Sequence, residues 1–404
     1  MSGPGNILVV TYWSYQSALI KTYTLPYIEI IRQKLPPGSR VYLMTLTPDS
    51  EKTRSDYDQV VSELKAKGIT LLNFTYRKFG IGMFLKMGGI LAFLIRFIYS
   101  HKISVVHAWC TPGGAIGYVL AAITGRKLVL DSFEPHAESM IETGTWKKNS
   151  LAYRLLFALE KRQLKKASDV ICAAEGMISY SQATYGIVKQ RYFVKPACVD
   201  LTLFDYHNSA SPNLLPDLPE GTVLCVYAGK FGDIYLSQEV FDFFKVAQSF
   251  WGNRFKVLLL TNHTATEISD YCRHSNLPEE AVIRRFVPHH EVPKYMKFGS
   301  FGICPVKPVP TKKFCTPIKN GEYWAMGLPV VITRNISTDS ELIAAEDIGY
   351  VLQELSDAEY LKAVTQIDRL LKQGGMAEKI RHIAERYRSF DVADAIYSTI
   401  YAES

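Results

Sequence analysis

Short runs of β-branched and apolar residues alternate with longer segments of mixed polarity along most of the chain. Such runs are typical of strands buried in a parallel sheet, and strands that alternate with helices predict β-α-β units and an α/β protein. The predicted strands lie at 7–10, 40–46, 69–74, 103–109, 127–131, 168–173, 191–196, 222–227, 256–261, 282–287, 301–305 and 330–332. The predicted helices lie at 24–34, 56–67, 80–100, 151–166, 175–185, 267–275, 357–373, 376–387 and 389–402, with another beginning at Pro135.

The chain of 404 residues is long enough for two domains, each with its own hydrophobic core. Residues 208–221 contain three prolines, and we interpret 201–221 as a linker between domains at 1–200 and 222–385. A hydrophobic content of 48% with 21% charged residues is typical of soluble globular proteins. The first residues, MSGPGNILVV, have no basic segment, so we expect no signal peptide.

The run TPIKNGEYWAMGLPVV, from Thr316 to Val331, predicts a capped helix followed by a buried strand. The threonine hydroxyl and Pro317 suit a helix N-terminus, and Gly327 can adopt the left-handed conformation that ends a helix. Lys319 and Glu322 are three residues apart and share one helix face. A lysine beside free backbone N–H groups suits a diphosphate, and a carboxylate one turn further suits the hydroxyls of a ribose.

This run closely resembles the donor-binding motif of glycosyltransferases with the GT-B fold, in particular the subgroup of retaining family 4 with a Ser/Thr-Pro-x-Lys-x-x-Glu-Tyr pattern. The matching positions are Thr316, Pro317, Lys319, Glu322, Tyr323, Ala325, Gly327, Pro329, Val330 and Val331. The resemblance implies two Rossmann-like domains facing across a cleft, with the last helix, at 386–404, packing back on the first domain. It also implies metal-independent transfer of a sugar, with retention of configuration, from a nucleotide-diphosphate sugar to a hydroxyl of a glycan or lipid-linked acceptor.

The resemblance also implies roles for residues at matching positions. The catalytic residues would be His136, Lys230 and Lys319, the two lysines offsetting charge on the departing diphosphate. The donor-binding residues would be Gly229, Phe314, Cys315, Thr316, Pro317, Glu322, Arg285 and Val287. The acceptor side would contain Ser14, Tyr15, Asp131, Glu134 and Glu138.

Two positions depart from the family pattern. Phe314 stands where many members have a glutamate that contacts the donor sugar, and Tyr235 and Leu236 stand where a second cation usually follows Lys230. Two alternatives to a glycosyltransferase therefore stay open. One is a nucleotide-sugar epimerase or hydrolase on the same fold, and the other is a non-catalytic partner subunit that retains the fold.

Charge is unevenly divided along the chain. Residues 1–200 carry 25 Lys and Arg against 14 Asp and Glu, an excess of +11, whereas residues 201–404 carry 21 against 25. An anionic membrane surface fits the basic half better than nucleic acid, because no nucleic-acid motif is present; a scattered, solvated excess of charge explains it at least as well. For the apolar segment 80–100 we favour a helix packed on the sheet over an amphipathic surface resting on a bilayer. We expect a cytoplasmic protein, and a peripheral position at the inner face of the membrane stays open.

The sequence gives no sign of a metal ion or a redox cofactor. The seven cysteines are scattered without C-x-x-C pairs, which fits reduced thiols in a cytosolic protein. The loop after the first strand, TYWSYQSALIK, has no glycine and therefore lacks the G-x-G-x-x-G fingerprint of an NAD-binding domain. No D-x-D motif stands in a suitable loop. We expect no cofactor apart from the nucleotide-diphosphate sugar as co-substrate.

Overall fold

A computed structural model of the chain describes residues 5–17, 19–48, 57–76, 81–207 and 214–402. Its internal contacts divide the chain into an N-terminal unit, Met1–Lys195 with Asp391–Ser404, and a C-terminal unit, Pro196–Phe390. Each unit is built on one parallel sheet, which confirms the predicted α/β class with two domains. The residue limits predicted for the domains and the linker stay a prediction, and residues 208–213 of that linker lie outside the described residues.

The N-terminal unit contains a seven-stranded parallel sheet. Its strands are β1 Asn6–Val10, β2 Val41–Thr47, β3 Ile69–Thr75, β4 Ile103–Trp109, β5 Lys127–Phe133, β6 Asp169–Cys172 and β7 Arg191–Val194. They are arranged in the order β3-β2-β1-β4-β5-β6-β7. The helices are α1 Leu25–Gln33, preceded by a π-helix at Leu19–Thr24, α2 Tyr57–Ala66, α3 Ile81–Ser100, α4 Cys110–Thr124, α5 His136–Glu142, α6 Leu151–Lys166 and α7 Gly176–Tyr185.

The strands of this sheet form because their apolar side chains are buried on both faces. Strand β2 is buried over its whole length, and the four apolar residues of β1 are fully buried. The first turn of α4 packs closely on the end of β1. A Cβ on Gly113 would lie 2.8 Å from the carbonyl oxygen of Val10, so this turn requires glycine.

The C-terminal unit contains a six-stranded parallel sheet. Its strands are β8 Val223–Ala228, β9 Phe255–Leu260, β10 Val282–Arg285, β11 Phe301–Cys304, β12 Val330–Thr333 and β13 Gly349–Leu352, in the order β10-β9-β8-β11-β12-β13. Its helices are α8 Gln238–Trp251, α9 Ala265–Ser275, α10 Val292–Met296, α11 Ile318–Ala325, α12 Asp339–Glu346, α13 Asp357–Leu371 and α14 Met376–Arg388. The last helix, α15 Phe390–Ala402, belongs to the N-terminal unit from residue 391 onward.

Helix α8 was not predicted from the sequence. Its residues include five aromatic side chains, which have only modest intrinsic helix propensity. Phe241, Phe243, Phe244 and Trp251 are all buried in the core of the C-terminal unit. Tertiary burial rather than local preference therefore stabilises this helix.

Helix α3, the apolar segment predicted to pack on the sheet, is buried on one face. Leu94 and Ile98 are fully buried, whereas Leu85 is 75% and Phe93 49% exposed. None of the helices in the described part of the chain has the length and apolarity needed to cross a bilayer.

Candidate functional site

The candidate donor site lies where the strand order of the C-terminal sheet reverses, between β8 and β11. The loops after these two strands leave the same edge of the sheet, which is where open α/β sheets bind ligands. The loops are also joined to each other. Tyr235 and Val306 form an antiparallel bridge, and the amide of Leu236 donates to the carbonyl oxygen of Pro305 over 2.8 Å.

The side chain of Lys319 lies across the backbone of Gly229 in this region. A Cβ on that glycine would be 2.6 Å from Cε and 2.9 Å from Nζ of Lys319, so a side chain does not fit there. The φ angle of Gly229, +149°, is also one that other residues rarely adopt. Nζ of Lys319 donates to the hydroxyl of Tyr235 over 2.9 Å and lies 4.1 Å from the centre of its ring. The structure therefore brings Lys319 and Gly229, two of the predicted site residues, together. The contact partner of the Lys319 ammonium group is Tyr235, which stands where the resembled family usually has a second cation.

Lys319 keeps its charge in this position. Burial acts to lower its pKa, but the hydroxyl of Tyr235 and the nearby carboxylate of Glu322 act in the opposite direction, and the pKa of Lys319 is raised above its usual value. A protonated ammonium group, shielded from water at the end of β8, is suited to hold an anionic ligand.

Lys230, the second predicted cation, is exposed and forms an ion pair with Asp233, whose pKa it lowers. Exposed ion pairs contribute little free energy, so Lys230 can leave Asp233 for a ligand at small cost. The backbone around it is held more firmly. The hydroxyl of Tyr227 donates to the carbonyl oxygen of Lys230, and the amide of Phe231 donates to Nε2 of His263 over 3.0 Å.

Helix α11 begins slightly later than the sequence predicts. Its N-cap residue is Pro317, which makes no side-chain capping hydrogen bond, rather than Thr316. Lys319 is the second helical residue, in the turn whose N–H groups have no partner within the helix. Gly327 adopts the left-handed conformation, with φ +69°, as predicted for the end of this helix. The helix thus presents its positive end beside the Lys319 ammonium group.

The residues just before α11 are packed into the loop. Phe314 is buried, and Nζ of Lys313 lies 5.0 Å from the centre of its ring. Sγ of Cys315 lies 3.7 Å from the carbonyl oxygen of Lys312. A buried phenyl ring offers no polar contact to a sugar, so the side chain of Phe314 cannot replace the glutamate that many family members have at this position.

Glu322 lies one turn after Lys319 and is almost fully buried. Its Oε1 is 2.7 Å from Nε2 of His289, in the 3₁₀ turn after β10. This hydrogen bond is the main cause that raises the pKa of His289, against the opposing effect of burial. His289 could not be identified from the sequence, because a residue 33 positions away gives no local signal of a contact with Glu322.

Strand β10 ends at Arg285, before the position predicted from the sequence. Arg285 is exposed, and its Nη1 donates to the carbonyl oxygen of Arg284 over 2.9 Å. Val287 packs partly buried against the core, whereas Phe286 is 72% exposed. Any contact of Val287 with a ligand would therefore involve its backbone.

Two residues predicted on the acceptor side are buried in the N-terminal unit. Tyr15 is 1% exposed and packs edge to face on Tyr57. Asp131 is fully buried, 2.9 Å from Nζ of Lys195 and 2.6 Å from the hydroxyl of Tyr397. Both side chains have partners inside the unit, so this geometry does not support a direct contact with an acceptor.

The other predicted residues of this unit lie nearer to its surface. Ser14 is partly exposed in the turn after β1, where its Oγ accepts from the amide of Gln16 over 3.3 Å. Nδ1 of His136 lies 3.3 Å from Oε1 of Glu134, and both side chains are partly exposed. Glu138 follows on α5 and is half-buried. The structure therefore places His136 beside Glu134 at the carboxyl end of β5 and Glu138 in the helix that follows.

A further carboxylate, Glu160 on α6, lies beneath this group and was not predicted. It is fully buried, accepting from the amide of Ala137 over 2.8 Å and from the hydroxyl of Tyr185 over 2.9 Å. Burial, supported by the charges of Glu138 and Glu134, raises the pKa of Glu160 to about 8, although its two hydrogen bonds act in the opposite direction. Glu160 therefore supports the first turn of α5 as a mostly neutral acid below that pH.

Glu160 should make the N-terminal unit less stable at alkaline pH. Its pKa is higher in the folded chain than the ordinary value of 4.5, so its stabilisation is complete below pH 4.5 and is lost as pH rises through about 8. The full effect is on the order of 4 kcal/mol. We expect the melting temperature of Glu160→Gln to exceed that of the wild type increasingly between pH 6 and about 9. The exposed Glu175→Gln should follow the wild type at every pH, and an identical pH profile for Glu160→Gln would contradict the assignment.

Comparison with known proteins supports the fold. Residues 249–389 match the family described as Glucosyltransferase 3-like, C-terminal domain. No curated protein sequence is similar enough to the chain to serve as a relative.

Several solved structures are similar over nearly the whole chain. Sucrose-phosphate synthase from Thermosynechococcus elongatus superposes with a TM-score of 0.73 and 14% identity, covering 99% of this chain and 100% of that one. HepE from Anabaena, in complex with UDP, gives 0.71 and 13%, with the same coverage. A protein from Listeria monocytogenes described as a UDP-N-acetylglucosamine 2-epimerase gives 0.65 and 10%, covering 99% and 96%. Together with the two parallel sheets, these similarities show that the chain has the GT-B fold.

Proposed function

We propose that the protein is a glycosyltransferase that moves a hexose from a nucleotide-diphosphate sugar to a hydroxyl group of a glycan or a lipid-linked acceptor. One observation carries this proposal. A protonated, largely buried Lys319 lies across Gly229 where the strand order reverses, one turn before Glu322. This arrangement offers a cation for a diphosphate and, one helical turn later, a carboxylate for a ribose.

The reaction needs groups that stabilise the negative charge of the departing diphosphate. Transfer breaks the bond between the anomeric carbon and the diphosphate oxygen, which leaves with the electron pair, while the acceptor hydroxyl bonds to that carbon and passes its proton to the departing diphosphate. Lys319, the N-terminus of α11 and Lys230 would stabilise the diphosphate as its charge grows. With these cations the reaction would proceed without a metal ion, and we propose retention of configuration from the family resemblance.

Glu322 would bind the ribose hydroxyls, and His289 would hold one oxygen of that carboxylate in place. The backbone around Arg285 and Val287 would contact the base. In the N-terminal unit, His136 would be the active-site histidine that the family resemblance implies. Glu134 would orient its ring through the contact at Nδ1. Ser14 and Glu138 would lie on the acceptor side.

A uridine diphosphate hexose is the donor that we propose to test first. HepE is described in complexes with UDP and with UDP-glucose, and the matching family is described as glucosyltransferase-like. A thermal-shift series with UDP-glucose, UDP-N-acetylglucosamine, GDP-mannose and ADP-glucose would identify the base. A donor at about 100 times its dissociation constant should stabilise the protein by about 2.7 kcal/mol. If no nucleotide or nucleotide sugar shifts the melting temperature of a folded sample, the proposal fails.

An epimerase or hydrolase is the second candidate, because one similar structure is described as an epimerase and Phe314 cannot supply the sugar-contacting carboxylate. An NMR assay with the responding donor separates the two. An epimerase or hydrolase would change the sugar or release free sugar without any acceptor. A transferase would leave most of the donor intact until an acceptor is added.

A further inference from the structure

The N-terminal unit contains a cavity that the proposed donor chemistry does not use. It has a volume of about 360 Å³, within the range of sites that bind small molecules. Helices α3, α4 and α6 form its walls, with Leu91, Ile116 and Leu156 among the lining residues. Ten of its thirteen lining residues have no nitrogen or oxygen in their side chains. Such a cavity selects an apolar occupant, because a polar group placed there would lose its hydrogen bonds to water.

The cavity extends to the candidate catalytic histidine. His136 belongs to its lining, together with Tyr12 and Trp146. These three residues provide the polar atoms of the lining. A chain that fills the apolar part would therefore place its polar end within reach of the His136 and Glu134 pair.

The surface beside the cavity is basic. Lys147 and Lys148, which directly follow the lining residue Trp146, are exposed, and Arg162 of α6 is exposed three residues after the lining residue Leu159. The one acidic residue of α6, Glu160, is fully buried. Exposed cations next to an apolar cavity suit an amphiphile with an anionic head group.

We propose that this cavity binds the hydrocarbon chain of an acceptor lipid whose head group is anionic: a sugar linked through phosphate to an isoprenyl chain, in which the sugar supplies the acceptor hydroxyl. The role of this lipid as the acceptor rests on the proposed glycosyltransferase function, whereas the binding of its hydrocarbon chain does not. The chain lies among α3, α4 and α6, the phosphate contacts Lys147, Lys148 and Arg162, and the hydroxyl of the linked sugar lies beside His136.

Direct binding of a fluorescent chain tests the cavity. The probe is 11-(dansylamino)undecanoic acid, and decyl phosphate and decyl glucoside compete with it below their critical micelle concentrations. We expect saturable binding of one probe per protein, and displacement by decyl phosphate at lower concentration than by decyl glucoside. Unsaturable partitioning, or no binding, overturns the proposal. Equal displacement by both competitors overturns the assignment of an anionic head group.

A pair of substitutions on one helix locates the binding. Ala152 lines the cavity, whereas Ala158 of the same helix is exposed and does not. Ala152→Phe should weaken probe binding at least about tenfold, while Ala158→Phe should leave it within about twofold. If Ala152→Phe does not fold, Ala115→Phe, which fills the cavity from α4, replaces it in the binding assay. Equal affinities for the two α6 variants would place the probe elsewhere and overturn the proposal.

The nucleotide titration separates this inference from the proposed function. Both α6 variants should retain the thermal shift with the donor, because neither residue belongs to the C-terminal unit. Donor binding without chain binding removes the lipid inference and leaves the glycosyltransferase proposal intact. Chain binding without any nucleotide binding removes the proposed function and keeps the cavity as a lipid site.

Discussion

Replacement of Lys319 by methionine is expected to lower kcat/KM for sugar transfer by about 10²- to 10³-fold, the range for losing one preorganised group that stabilises charge in the transition state. Methionine keeps most of the length and apolar surface of the lysine stem but removes the ammonium group. The loss should fall mainly on kcat, because the charge on the diphosphate is greatest as the bond to the sugar breaks.

Steady-state kinetics with the donor identified by thermal shift would measure this effect. Lys372→Met is a suitable control, because Lys372 is an exposed cation of the same unit whose side chain is 73% accessible. It should retain wild-type kinetics. A Lys319→Met protein that folds and transfers sugar at the wild-type rate would remove Lys319 from the mechanism.

Gly229 offers a second route to the same lysine. Gly229→Ala would place a Cβ 2.6 Å from Cε of Lys319 and so displace the cation without changing any charge. Gly232→Ala in the same loop is the matched control, since that glycine also has a positive φ, +83°, but no atom lies within 4 Å of its Cβ position. The first variant should lose activity far beyond the second.

The donor half of the site could be predicted from the sequence because its chemistry is local. Lys319 and Glu322 are one helical turn apart, and the proline and glycine around them determine where α11 begins and ends. The contact between Lys319 and Gly229 is not local, but the family resemblance supplies both positions. Tyr235 stands where a second cation was expected and turns out to hold Lys319 in place.

The N-terminal half could be predicted only in part. The position of Asp131 near the end of β5 suggested chemistry, because ligands usually bind beyond strand ends. The sequence does not show that Lys195, 64 residues later, and Tyr397 of α15 occupy the same space. These contacts form only when β5, β7 and α15 are brought together, and they turn a candidate ligand contact into a buried ion pair.

This buried ion pair is a major link between α15 and the rest of its unit. Lys195 is enclosed by aromatic rings, with Nζ 3.5 Å from the ring centre of Tyr27 and 4.6 Å from that of Trp109. The hydroxyl of Tyr397 donates to Asp131 and accepts from Lys195 over 2.8 Å. Burial alone would raise the pKa of Asp131, but Lys195 and its other partners hold that pKa well below its usual value.

Lys195→Met should therefore destabilise the N-terminal unit by about 3–5 kcal/mol, because it leaves the Asp131 carboxylate buried without the Lys195 cation, held by hydrogen-bond partners such as Tyr397 and His107. Hydrogen exchange measured by mass spectrometry in peptides from β5 and α15 would show this as exchange about 10²- to 10⁴-fold faster than in the wild type. Peptides of the C-terminal sheet provide an internal control and should exchange at unchanged rates.

A second pair distinguishes a buried charge from the mere attachment of α15. Lys34 and Asp394 also join α15 to the unit, over 2.6 Å, but their side chains are 22% and 43% exposed, so Lys34→Met should cost less than about 1 kcal/mol. The double variant Asp131→Leu with Lys195→Met should recover much of the loss, since it removes the unpaired charge as well as the pair. If Lys195→Met and Lys34→Met accelerate exchange equally, the ion pair contributes no more than a surface contact. If the double variant is as unstable as the single one, side-chain packing rather than charge pairing holds α15 in place.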